Sequence, residues 1–403
     1  MTLIIMFVFS TSLAPFIGAD QRNFLVVALS FAMPILFVAF RLHLTRDAAW
    51  MCLLLVYMML VALHFGTGRD LSSISYTGLL AMCYLGLVSC LMTGLIERDI
   101  VVVFLRRLIF AFAIVSMLQA ATSLTGLPVP NQLATKGLWS YNSLAVEPSH
   151  LGRVLPMSML TYLILRRTAP GTTVSASRLL WQERWLVIAF LTSILLSGST
   201  LAVMAAPIAL LFAMPARWIV LLSGIAVILW PMISIISLPA LQRGLNFILV
   251  LPSMNIDELV STDLSAAVRV MPALVYFNKV EFSSSQFWFG GGISAIKPFL
   301  QEDIVGVADD QLGAGAFPGL IIAFGALGFG LLLYTVILRF LHPSTITCIA
   351  LWLVLFLPSP WNSQLFWFGL MLLRILHYFE VEQKGALRRP SLGFRTVAVG
   401  KST

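Results

Sequence analysis

Stretch after stretch of this sequence runs for about 20 residues almost without a charge, which leaves the chain few ways to fold. In lipid every backbone N–H and C=O must find a partner inside the protein, so such stretches become helices unless they close a barrel. A ruler of about 20 apolar residues per crossing marks about twelve spans. They fall near 2 to 18, 23 to 40, 48 to 64, 76 to 96, 106 to 123, 149 to 165, 185 to 198, 200 to 214, 218 to 237, 316 to 338, 344 to 357 and 363 to 377. Of the 403 residues 59% are hydrophobic and only 10% charged, where a globular domain carries about 25% charged. The fold class expected is all-α: a polytopic integral membrane protein with residues 1–403 as a single transmembrane domain.

The net charge of +8 does not point to nucleic acid. Basic residues sit in short segments between the apolar runs, as cytoplasmic loops do, and with both termini inside they divide about two to one in favour of the cytoplasmic side. The charge reports topology, and no nucleic-acid partner is expected. Residues 378–403 then form a basic cytoplasmic tail facing membrane lipids. Cys52, Cys83, Cys90 and Cys348 lie in apolar runs without CxxC pairing, which reads as buried thiols. The opening MTLIIMFVFSTSLAPFIGA lacks a basic n-region and further spans follow, so an uncleaved first helix is expected.

Against this apolar background one polar stretch stands out, KGLWSYNSLAVEPSHLGR from Lys136 to Arg153. Proline is favoured at the first helical position and pushes the residue before it out of the α region, so a helix should begin at Pro148 with Glu147 flanking it. His150 and Arg153, three apart, then share a face. A helix start exposes unpaired N–H groups and partial positive charge, which suits an anion such as a diphosphate. The same residues also read as a capped transmembrane helix whose polar groups only mark the interface. Ionisable groups near a membrane are more often functional.

Two segments stay on the outer side, a short loop over 124–148 and a long one over 238–315. The long loop is net acidic, so its individual basic residues gain interest. Within it DLSAAVRVMPALVYF reads as an amphipathic helix with Leu264, Val268, Met271 and Val275 at helical spacing and Pro272 as a kink. Arg269 on this helix is either a ligand for an anion or a snorkelling interfacial charge. FWFGGGI, with Gly290, Gly291 and Gly292, allows close backbone approach and serves as a turn or as a cradle of N–H groups. Asp309 and Asp310 end the loop as a solvated acidic pair or as helix-start charges; such a pair could also hold a divalent ion, but that needs a nucleotide-sugar substrate, and these acids face away from the cytoplasm where those are made. His43, His64 and His342 lie at other helix ends, leaving His150 alone in the candidate site, so no metal centre is expected. Ser149 beside His150 makes no hydrolase triad, because neighbours on a helix point apart.

These motifs give the chain its resemblance to the O-antigen polymerase (Wzy-type) and O-antigen ligase superfamily of bacterial envelope glycosyltransferases. KGLWSYNSLAVEPSHLGR is similar to that group's basic residue and glycine followed by Glu-Pro-Ser leading into a helix. Arg269, then MPALVYF and FWFGGGI, resembles its Arg-then-Gly-x-Gly loop. Asp309-Asp310 before AFPGLIIAFGALGFGLLLY, with Gly325 and Gly328, and SGST at Ser197 to Thr200 resemble two further segments. The likeness runs from Lys136 onward; the first hundred or so residues match by hydropathy alone. The departures are Lys136 where relatives often carry Arg, Thr200 where an Arg often follows, and Asp309 where ligases usually show His.

The resemblance implies a GT-C-like membrane enzyme that joins oligosaccharides carried on undecaprenyl diphosphate at the periplasmic face of a bacterial inner membrane, with no cofactor. A chain-length regulator and a flippase are the partner proteins it implies. A lipid diphosphate leaves as an anion, and guanidinium groups suit it because they stay protonated and bind phosphate bidentately. Arg269 and Arg153 are the first choices for this role, with Lys136 and Arg243 behind them. Glu147 is the best-placed base for an acceptor hydroxyl and His150 the second. Gly290, Gly292, Asp309 and Asp310 are supporting residues. A polymerase of O antigen or exopolysaccharide is the leading expectation, with a ligase acting on lipid A core, or a transporter or flippase, as alternatives.

Overall fold

The computed structural model describes residues 2–18, 22–39, 46–65, 68–131, 140–169, 175–211, 242, 246, 247, 249–304 and 313–383. Among them the chain is helical and forms no strand. In order the helices are α1 (Thr2–Ser10), α2 (Phe24–Ala39), α3 (Arg46–Phe65), α4 (Gly68–Met92), α5 (Arg98–Leu124), α6 (Pro148–Arg167), α7 (Ala176–Gln182), α8 (Arg184–Ser197) and α9 (Thr200–Leu211). The segment after them adds α10 (Ile256–Thr262), α11 (Leu264–Lys279), α12 (Ser285–Phe289) and α13 (Ile296–Gln301), and the C-terminal part α14 (Ala316–Val336), α15 (Ile346–Phe356) and α16 (Gln364–His377).

Each apolar span expected from the sequence holds a helix except 218 to 237, which lies outside the described residues. Four are long and apolar enough to cross a membrane, over Ala48–Phe65, Asp70–Met92, Arg98–Leu124 and Ala316–Phe340, while α2, α8, α9 and α15 are apolar but shorter. The outward faces of α2, α3 and α5 carry Phe31, Ile35, Val38, Leu60, Leu63 and Ile114, all exposed. An apolar surface of that extent does not face water. The first expected span stops early: α1 ends at Ser10, the Thr11 hydroxyl turns back to the Phe7 carbonyl at 2.7 Å, and the Ser12 N–H reaches the Leu144 carbonyl at 2.7 Å. The pair around SGST is two helices, separated where Gly198 adopts a left-handed φ of 56°.

Helices α6 and α16 lie at the centre. Every residue from Leu151 to Leu165, and from Gln364 to Leu376, is buried, the polar Arg153, Ser158, Thr161, Gln364 and Arg374 included. Around them α5 packs on α8 and α6, α9 on α6, and α2 on α4. At the C-terminal end of α6 the charges are paired: Arg98 with Glu380, and Arg106 and Arg166 with Glu183 at 3.9 and 3.6 Å.

The long outer segment builds a small core of its own from Phe247, Leu259, Ala267, Met271, Val275, Leu300 and Ile304. The amphipathic helix forms as expected and runs through Pro272. Its buried stripe is Ala267, Met271 and Val275; Leu264, assigned to that stripe by spacing, is 40% exposed in the first turn.

The glycine triplet has a structural task. Helix α14 breaks at Gly325, whose φ is 69°, and a broken helix frees carbonyls that need outside donors. The Gly291 and Gly292 N–H groups donate to the Ile322 and Ala323 carbonyls at 3.0 and 2.9 Å, and the Tyr57 hydroxyl donates to the Phe324 carbonyl at 2.9 Å. The two backbones touch: a Cβ at Gly290 (φ +84°) would lie 2.3 Å from the Ala323 carbonyl oxygen, and one at Gly325 2.1 Å from that of Trp288. Gly290→Ala and Gly325→Ala are each expected to cost about 2 kcal/mol or more, read as a lowered thermal midpoint in detergent. Gly330→Ala, with nothing within 4 Å of the added carbon, should leave that midpoint unchanged or raise it.

Candidate functional site

Helix α6 starts where the proline places it. Glu147 precedes Pro148 in an extended conformation (φ −132°, ψ 153°), the geometry a following proline imposes. Its carbonyl accepts from the His150 N–H at 3.0 Å, and its carboxylate accepts from the Ser149 hydroxyl at 3.2 Å. Glu147 and His150 are both half-buried.

The segment that delivers Glu147 is held by a buried amide network. The Gln119 side-chain amide donates to the Pro130 carbonyl at 2.7 Å and its oxygen accepts from the Ser143 N–H at 2.7 Å. Asn131 donates to the Ser143 carbonyl at 2.7 Å and accepts from the Ala14 N–H at 2.6 Å. Asn142 donates to the carbonyls of Asn131 at 2.8 Å and Ala145 at 2.5 Å. Sequence reasoning gave none of these three side chains a role. The signal was present: Gln119 and Asn142 interrupt apolar surroundings, where an amide persists only with partners.

One turn into α6, Arg153 is 4% exposed. Its Nε has no hydrogen-bond partner among the described residues. Gly152 beside it lets α9 close in, since a Cβ there would lie 2.8 Å from the Ala202 backbone nitrogen. Arg269 reaches the same place from α11. That helix is capped by Asp263, whose carboxylate accepts from the Ala266 N–H at 3.1 Å. Burial pushes the Arg269 guanidinium below its ordinary pKa, opposed by the carboxylates of Glu147 and Asp263. Arg153 in turn feels the positive charge of Arg269 and the negative charge of Glu147.

Glu147 and Arg153 of one segment and Arg269 of a distant one therefore lie within electrostatic range of one another at the mouth of α6. Asp263, absent from the sequence-derived site, belongs with them. Two guanidiniums that repel each other in a desolvated place favour an anion between them, and the start of α6 adds its own partial positive charge. Gly290 and Gly292 do not act as a ligand cradle: the Gly291 and Gly292 N–H groups serve the break in α14, and the Gly290 N–H donates to the Gln286 carbonyl at 2.9 Å. Lys136, Arg243, Asp309 and Asp310 lie outside the described residues. Cys83, Cys90 and Cys348 are buried, whereas Cys52 is exposed on α3.

No family model, curated protein or solved structure matches this chain.

Two positions separate the supports of the site. Asp263→Ala removes a helix cap and is expected to cost about 1 kcal/mol of stability, whereas Asp263→Asn retains a cap and most of that stability. Asn142→Ala leaves buried carbonyls without donors and should cost about 1–3 kcal/mol. Thermal unfolding of the purified protein in detergent reads all three.

Proposed function

We propose that this chain is a metal-independent glycosyltransferase that joins oligosaccharide units carried on undecaprenyl diphosphate, a polymerase of O-antigen or exopolysaccharide type. One observation carries the reading: a buried arginine, Arg153, and a partly buried one from a distant helix, Arg269, meet a carboxylate, Glu147, at the mouth of a central helix. That set matches the needs of the reaction. An acceptor hydroxyl oxygen attacks the anomeric carbon of the donor and forms the new glycosidic bond. The bond from that carbon to the lipid diphosphate breaks, and the diphosphate departs with the electron pair. Glu147 takes the hydroxyl proton, with His150 in the same turn as the second acceptor. Arg153 and Arg269 hold the charge that grows on the leaving group, where a low-dielectric setting makes them worth most.

The same proposal includes the finer topology: about twelve crossings in a GT-C-like arrangement, both termini cytoplasmic, and the Glu147 end of α6 on the periplasmic side of a bacterial inner membrane. The paired arginines at the opposite end of α6 support this direction. Arg98, Arg106, Arg166 and Arg374 lie there with Glu183, Glu380 and Glu382.

Purified protein mixed with synthetic lipid-linked oligosaccharide units in detergent is expected to produce a ladder of polymers. Glu147→Gln and Arg269→Ala should each slow it by about 100-fold or more. Wild-type protein that yields no ladder, or variants that keep the wild-type rate, contradict the proposal. In cells, loss of the gene should leave surfaces capped with single units. Loss of all glycan from its acceptor, with lipid-linked polymer accumulating, would identify a ligase instead.

A further inference from the structure

Helix α12 and the glycine turn after it belong to the long outer segment, yet they lie level with the interior of two membrane-length helices. Those helices are α3, apolar over Ala48–Phe65, and α14 with its continuation, apolar over Ala316–Phe340. The Tyr57 hydroxyl, from the middle of that stretch of α3, donates to the Phe324 carbonyl at 2.9 Å and reaches the Phe289 carbonyl at 3.4 Å. At 1.5 Å per residue Tyr57 sits about 12 Å below the Phe65 end of α3. Its side chain leans toward the helix N-terminus, which is further still from that end. On α14 the same turn meets Ala323 and Gly325, well inside the helix from its start at Ala316.

Irregular backbone survives at hydrocarbon depth only where the protein satisfies its polar groups. Here the Gly290, Gly291 and Gly292 N–H groups donate to the carbonyls of Gln286, Ile322 and Ala323 at 2.9, 3.0 and 2.9 Å. The Ser284 hydroxyl accepts from the Phe287 N–H at 3.1 Å at the start of α12. The Trp288 indole N–H donates to the Phe282 carbonyl at 3.1 Å, which frees the ring to face an apolar phase.

The side chains, in contrast to the backbone, are uncovered. Trp288 is 47% and Phe289 51% exposed. Phe289 lines a cleft of about 570 Å³ with Leu60, Val61 and Phe65 of α3, to which His64 and Gln286 add polar groups. Leu60, Leu63 and Phe65 are exposed as well. The aromatic pair of α12 therefore continues the outward apolar face of α3, and a continuous surface of that kind does not face water.

We propose that α12 and the glycine turn form a re-entrant wedge that enters the bilayer from the outer side and packs Trp288 and Phe289 against the acyl chains of membrane phospholipid. The wedge follows α11 closely in the chain, so it also ties the helix that carries Arg269 to the membrane. This holds whatever the chemistry at the mouth of α6, because it needs only α3 and α14 to cross the bilayer.

Nitroxide labels on single cysteines test the wedge in the full chain, reconstituted in phosphatidylcholine and phosphatidylglycerol vesicles with Cys52→Ser as the background. A label at Phe289→Cys is expected to be reached by oxygen, which concentrates in hydrocarbon, and missed by a water-soluble nickel chelate, as at Leu63→Cys on the exposed face of α3. Glu302→Cys, exposed in the same outer segment, should show the reverse. Nickel access at position 289 equal to that at 302 puts α12 in water and overturns the wedge. Exclusion of both reagents, as a second copy seated on this face would cause, overturns it too. Trp288→Phe keeps an aromatic ring and gives a second readout should Phe289→Cys fail to fold. The fluorescence that this substitution removes should be quenched in vesicles of brominated phosphatidylcholine, and a Trp288 signal that persists there contradicts the proposal.

Discussion

A guanidinium buried to the extent of Arg153 is the constraint on which the rest of this structure depends. Taking such a cation out of water costs several kcal/mol even after relaxation, and a second cation, Arg269, stands within range of it. The surroundings show how that arrangement persists. Glu147 is fixed at the helix mouth by the proline that follows it. Gln119, Asn131 and Asn142 fasten the incoming stretch of chain through buried amide bonds. Gly152 closes the gap to α9 on the other side. Each of these features helps to keep the opposing charges in place.

The part of this arrangement that could be read from the sequence is the part encoded locally. Pro148 after Glu147 marks a helix start by steric rules alone, and α6 begins there. The amphipathic pattern over 264–279 needs only its own period, and α11 occupies it. What escaped is encoded between distant residues. Gly290 and Gly325 are legible as glycines, but their shared purpose depends on two backbones meeting across 35 positions. A triplet that exposes N–H groups looks the same whether those groups face a ligand or the freed carbonyls of a broken helix. Asp263 looked like one more acid in an acidic loop until α11 gave it a cap to make and Arg269 to face.

The two ends of α6 use the same residue type for opposite purposes. At the C-terminal end Arg166 and Arg106 share the buried carboxylate of Glu183, and Arg98 pairs with Glu380 and donates to the Thr168 carbonyl at 3.1 Å. Those cations are matched within the protein and secure the ends of the helices. At the N-terminal end the field on Arg153 comes from one carboxylate and one further cation. Helix direction reinforces the difference, because the macrodipole favours cations at the C-terminus and anions at the N-terminus. Arginines at a C-terminal helix end lower the energy of the folded state. Near the N-terminal end the macrodipole opposes a cation, so Arg153 depends on nearby negative charge such as that of Glu147.

The acidic residues beside α11 extend that reasoning from one charge to a whole ligand. A lipid-linked oligosaccharide is chemically divided, with its charge concentrated in the diphosphate and its hydroxyls spread along the sugars. A protein that spread positive charge evenly would hold the diphosphate in many registers, and the reacting carbon would not be placed. In the glycan-joining reading, Arg153 and Arg269 give the diphosphate one place, because the carboxylates beside α11 outnumber and occupy Lys279 there. In that reading the acidic character of the long outer segment, which on composition alone argued against anion binding, becomes part of how the anion is positioned, since carboxylates disfavour phosphate everywhere but at the mouth of α6.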